Sequence, residues 1–82
     1  MSNRTMVFMS ALIQTVAETI GGAPDGVCYA GLMGAGCTFD EYQTIRSALV
    51  SNGLVTLSNN VLTVTPAGIV LADRLTAILN EA

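Results

Sequence analysis

TFDEYQTIRSALVSNGLVTLSNNVLTVTP, running from Thr38 to Pro66, is the stretch whose reading decides the fold. Its first four residues have capping-box spacing. The Thr38 hydroxyl is placed to accept the amide hydrogen of Glu41, and the Glu41 carboxylate to reach back to the Thr38 amide. Asn52-Gly53 ends the helix begun there, because glycine enters the left-handed C′ conformation without a Cβ penalty. Val55 to Ser58 and Val61 to Val64 then flank Asn59-Asn60, a pair tolerant of the positive φ that a type I′ hairpin turn needs. With that turn, Val55 faces Val64 and Leu57 faces Leu62 on one side of the ribbon, while Thr56 faces Thr63 on the other. A slip of one residue would bury the threonines and expose all four aliphatics, so the register is set. Thr65-Pro66 opens another helix, with Thr as N-cap and Pro at the first helical position.

Upstream, Met6, Met9, Ile13, Val16 and Ile20 recur at helical spacing and predict an amphipathic helix from about Asn3 to Ile20, stopped by Gly21-Gly22. Val7, Phe8 and Leu12 widen its apolar sector beyond one core-facing strip. Phe8 and Leu12, on the flank, are candidates for a contact shared with a second subunit; the alternative is that they complete the monomer core. Pro24 is placed to start a short second helix carrying Val27, Cys28, Leu32 and Met33. Gly34-Ala35-Gly36 ends it and makes the tight turn of a helix-turn-helix. The glycines are out of order for a dinucleotide fingerprint, follow no strand and precede no Lys, so no phosphate loop and no cofactor is expected.

The helix begun at Thr38 is predicted over Phe39 to Asn52. Tyr42, Ile45 and Leu49 point to one side, and Cys37 and Tyr42 can staple its start. Asp40, Gln43, Thr44, Ser47 and Ser51 lie on the other side, with Arg46 on the flank. The last helix, Pro66 to about Asn80, shows Val70, Leu71, Leu75, Ile78 and Leu79 at helical spacing. It can pack against the first helix or pair with a symmetry mate, and Leu75 and Leu79 join Phe8 and Leu12 as candidate interface residues.

Composition narrows the function. The 82 residues suit one domain, 51% of them hydrophobic and 11% charged. Charged residues are usually about a quarter, and so apolar a chain of this size has trouble hiding its hydrophobic surface. A homodimer is the simplest expectation. There is no His, only three basic residues (Arg4, Arg46 and Arg74), and a net charge of −3. Without His or Lys, and with dispersed carboxylates, an active site is not expected. Cys28 and Cys37 lack CxxC spacing, which argues against zinc; two buried free thiols are favoured over a disulfide. Arg4 with Met6 to Ile13 has a rival reading as a short secretory signal, but Gln14, Thr15 and Glu18 interrupt it. No apolar run approaches the ~20 residues of a membrane span. A cytoplasmic, membrane-free protein is expected.

The segment Asn52-Gly53-Leu54-Val55 through Leu62-Thr63-Val64-Thr65-Pro66-Ala67-Gly68 and on to Leu71 resembles the winged helix-turn-helix superfamily of bacterial and phage type. The likeness extends over nearly the whole chain. It implies an α+β, helix-dominated fold: a three-helix core with a helix-turn-helix, a two-stranded hairpin wing at about Leu54–Thr65, and a C-terminal helix. By resemblance, Phe39 to Asn52 is the recognition helix and Ser58 to Val61 the wing tip. Members mostly bind duplex DNA, while others serve only as interaction or dimerisation modules.

Two functions follow as expectations. As a non-catalytic protein-interaction module, the chain needs only its apolar excess. As a DNA-binding regulator, it would use Gln43 on adenine and Arg46 on guanine or a phosphate, with Thr44, Ser47, Asn59 and Asn60 on phosphates. That second role is disfavoured by charge: neither segment is rich in Lys or Arg, and phosphate neutralisation supplies most non-specific affinity.

Overall fold

The structure, a computed structural model, describes residues 3–81, with the side chains of residues 4–78. Its elements in chain order are α1 (Asn3–Glu18), β1 (Ala23–Pro24), α2 (Asp25–Gly34), α3 (Phe39–Ser51), β2 (Val55–Ser58), β3 (Val61–Val64) and α4 (Pro66–Glu81). The strands form one antiparallel sheet in the order β1-β3-β2. The fold is thus α+β and dominated by helices, a layout compatible with a winged helix.

The capping box forms. Thr38 Oγ1 accepts the Glu41 amide at 3.2 Å, and the Thr38 amide donates to Glu41 Oε1 at 3.0 Å. Arg4 of α1 donates to the same carboxylate through Nε at 2.7 Å, and also to the Gly36 carbonyl. The α2–α3 turn is therefore strapped to the first helix. This Arg4 hydrogen bond, followed by that from the Thr38 amide, lowers the Glu41 carboxyl from 4.5 to about 2. At the other end of α3, Gly53 takes φ +70° and the Leu54 amide closes back on the Leu49 carbonyl at 2.9 Å.

The hairpin has the expected register: Val55↔Val64, Thr56↔Thr63 and Leu57↔Leu62, with Asn59 and Asn60 at φ +51° and +62°. The sheet, however, has a third strand. Ala23 and Pro24 pair with Leu62 and Val61. Pro24, expected inside the first turn of α2, is its N-cap in extended conformation (φ −59°, ψ 132°). A residue without an amide hydrogen is tolerated at a sheet edge, and that is where Pro24 lies.

Thr65 caps α4 by accepting the Gly68 amide at 3.1 Å. Gly68 is needed for a second reason. A Cβ there would fall well inside contact distance of the Leu54 carbonyl oxygen, so the first turn of α4 rests directly on the backbone of the α3–β2 connection.

The core lies where α1, α3 and β3 meet, and includes Leu12, Ile13, Tyr42, Ile45, Leu49 and Leu62, all 2% exposed or less. α1 packs against α4 as well as against α3 and β3. Its buried sector is therefore broad and rotated from the expected stripe. Phe8 and Leu12 are internal, Met6 is 44% exposed, and Ile20, past the end of the helix, is wholly exposed.

Candidate functional site

The outer face of α3 is polar, as expected. Gln43, Thr44 and Ser47 are exposed, although the Thr44 hydroxyl donates to the Asp40 carbonyl at 3.0 Å. Asn59 and Asn60 are exposed at the hairpin tip. Arg46, the only base on this helix, is engaged. Its Nη1 donates to Asp25 Oδ2 at 2.6 Å, and both side chains are only about one-fifth exposed (20% and 19%). The guanidinium lies 5.6 Å from the centre of the Tyr42 ring. Tyr42 in turn donates its hydroxyl hydrogen to Asp25 Oδ1 at 2.5 Å. Burial, then that carboxylate, pushes the Tyr42 phenol far above its ordinary range. It remains a neutral donor.

Asp25 is thus a junction. It is the first residue of α2, its amide donates to the Asn60 carbonyl at 2.8 Å, and its carboxylate binds two side chains of α3. Hairpin tip, α2 and α3 are tied together through one acid. Releasing Arg46 towards a phosphate would leave that carboxylate partly buried with Tyr42 as its one remaining side-chain partner among the described residues, which is costly. Arg4 is spoken for by Glu41. Arg74 lies exposed on α4.

The cysteines are free and buried. Burial raises both thiols, Cys28 further through Asp25 and Cys37 through Glu41. Arg4 acts on Cys37 in the opposite sense but is outweighed, so neither thiol is tuned towards a thiolate nucleophile. Among the described residues no group of His, Cys, Asp and Glu gathers to hold a metal ion, and no helix is long and apolar enough to cross a membrane.

The expected subunit contact needs correction. Phe8 and Leu12 are 6% and 2% exposed, so both belong to the monomer's own core, because α1 is covered on two sides. Leu75 is half-buried against that core, and the side chain of Leu79 lies outside the described residues. The surface instead displays other aliphatics: Ile20 at 101% relative exposure, Val27 at 67%, Ile78 at 57%, and Val7 and Val70 at 55%.

Beside Val27, between α1 and α2, runs a groove of about 450 Å³. Ala11, Leu12, Thr15, Val27, Gly31 and Ala35 contribute to its walls, and among the described residues no charged one does. Thr15 and Thr19, which also line it, spend their hydroxyl hydrogens on the carbonyls four residues earlier, at 2.8 Å each. The groove therefore offers methyl groups and no side-chain donor from either threonine. Comparison with protein-family models, with curated proteins and with solved structures gives no match.

Sequence reasoning missed Asp25 and the exposed Ile20. No local spacing connects Asp25 to Arg46, since the contact arises only when α2 packs on α3. Gly21-Gly22 did mark where α1 must stop, but periodicity alone carried Ile20 into the stripe.

Proposed function

We propose that this chain is a winged-helix domain acting as a non-catalytic interaction module in the cytoplasm, working as a homodimer. The element order from α1 to α4 supports the frame. α3 takes the place of the recognition helix and residues 58–61 that of the wing tip. The observation that carries the functional reading is the set of large aliphatics left at the surface when the core is already filled: Ile20, Val27, Val70 and Ile78. Burying one such side chain contributes about 1.5–3 kcal/mol, against a cost of association of about 4–15 kcal/mol, so only a partner that covers several of them at once offsets that cost. Buried, protonated thiols suit a reducing compartment. The lack of His and Lys leaves few groups for acid–base or covalent chemistry.

The alternative is a DNA-binding regulator, favoured by the exposed Gln43, Thr44 and Ser47 on α3. It requires Arg46 to leave Asp25, in a protein whose net charge is −3. The interaction reading predicts a dimer by light scattering in the micromolar range. Because the contact is apolar, its mass holds as salt is raised. A monomer throughout that range would remove the homodimer.

A further inference from the structure

Ile20 is the most exposed large aliphatic side chain described, and it is not on a loose loop. It occupies the second position of a turn closed by the Gly22 amide on the Thr19 carbonyl at 3.2 Å. The turn is seated on β3: a Cβ at Gly22 would lie 2.6 Å from Val61 Cγ1 and 3.0 Å from the Leu62 carbonyl oxygen. The structure thus holds an isoleucine fixed in water at the apex of an uncharged turn. Thr19, the first residue of that turn, and Ala23, which follows it, line the groove between α1 and α2.

We propose that this groove receives Ile20 of a second copy of this chain, while its own Ile20 enters the groove of that copy. The inference rests on the homodimeric interaction reading and names its contact. A two-fold interface needs a self-complementary patch, in which projection and recess lie side by side on one surface. Here they share a chain segment. The chemistry matches as well. Among the described residues the recess has no charged wall, and its threonine hydroxyls donate internally, so it disfavours polar occupants and accepts a hydrocarbon. The projection is a bare aliphatic side chain, followed by Gly21, where a Cβ would meet nothing within 4 Å and a second backbone can approach closely.

Two substitutions separate projection from recess. Ile20→Ser removes the first without touching the core. Gly31→Leu fills the second, since a Cβ at Gly31 meets nothing within 4 Å and leucine is a good helix former. Each contact occurs twice per dimer, so either variant alone is expected to weaken self-association about a hundredfold or more by sedimentation equilibrium. A mixture of the two variants keeps one intact contact, Ile20 of the Gly31→Leu chain in the groove of the Ile20→Ser chain. A labelled Ile20→Ser chain titrated with the Gly31→Leu chain should therefore regain about tenfold in affinity over either variant alone. A wild-type dimer indifferent to both substitutions overturns the groove contact while leaving the homodimer in place. A monomeric wild type overturns both. A monomer that takes up an anilinonaphthalene dye, with uptake lost in Gly31→Leu, overturns the second copy as occupant in favour of a small apolar ligand.

Discussion

Arg46 and Asp25 show how one ion pair constrains both stability and function. Each is about one-fifth exposed, so the pair is worth more than a surface bridge and less than a fully buried one. Arg46→Ala leaves the Asp25 carboxylate with Tyr42 as its remaining side-chain partner, and is expected to cost about 1–3 kcal/mol by urea denaturation. A change within a few tenths would mean the pair is solvated. Glu41 makes a prediction in pH. Its carboxyl lies at about 2 in the folded chain against an ordinary 4.5, so its stabilising contribution is complete above about 4.5 and disappears as the pH falls towards 2. The difference in urea midpoint between the wild type and Glu41→Gln should be constant above that window and shrink within it. A difference that persists at pH 2 would contradict the assignment. Glu41 could be read from sequence because capping is decided by neighbours three residues apart. The Asp25–Arg46 contact could not, because it is made only by packing one element on another.

At the scale of elements, α4 is positioned by a close approach. Replacing a helical glycine by alanine ordinarily gains about 1 kcal/mol. Gly68→Ala is expected to reverse that sign and cost about 2–4 kcal/mol, because the added Cβ meets the Leu54 carbonyl, a backbone atom that cannot swing aside. Thermal denaturation checks it, and a stabilised variant would show that α4 is free to shift. The hairpin register, the cap of α3 and the start of α4 were legible because each is set by a turn or cap with few alternatives. β1 was not, since two residues carry no periodicity and a proline before a helix more often reads as its first turn. The broad burial of α1 was half legible: its excess apolar width was evident, but which flank faced inward depended on α4 closing over it.

For the molecule as a whole, compactness and apolar exposure have to be reconciled. The radius of gyration is 11.7 Å, close to the about 12 Å expected of a folded chain this long. Exposure of Val27, Val70 and Ile78 is therefore not the result of an open arrangement. It follows from a composition that is half hydrophobic and only 11% charged. The same composition leaves the chain poorly equipped for a polyanion: of its three arginines, Arg4 and Arg46 are already paired with carboxylates. The apolar surplus was legible from composition alone, whereas its distribution was not. Phe8 and Leu12 went inside and Ile20 went out, because helix ends and packing, rather than hydropathy, decide which aliphatics stay in water. The most direct measurement of protein contact against nucleic-acid contact is a fluorescence anisotropy titration of mixed-sequence duplex with this protein at low salt, where phosphate contacts are strongest. A flat baseline is predicted for both the wild type and Arg46→Ala. Saturable binding by the wild type that disappears in Arg46→Ala would contradict the account.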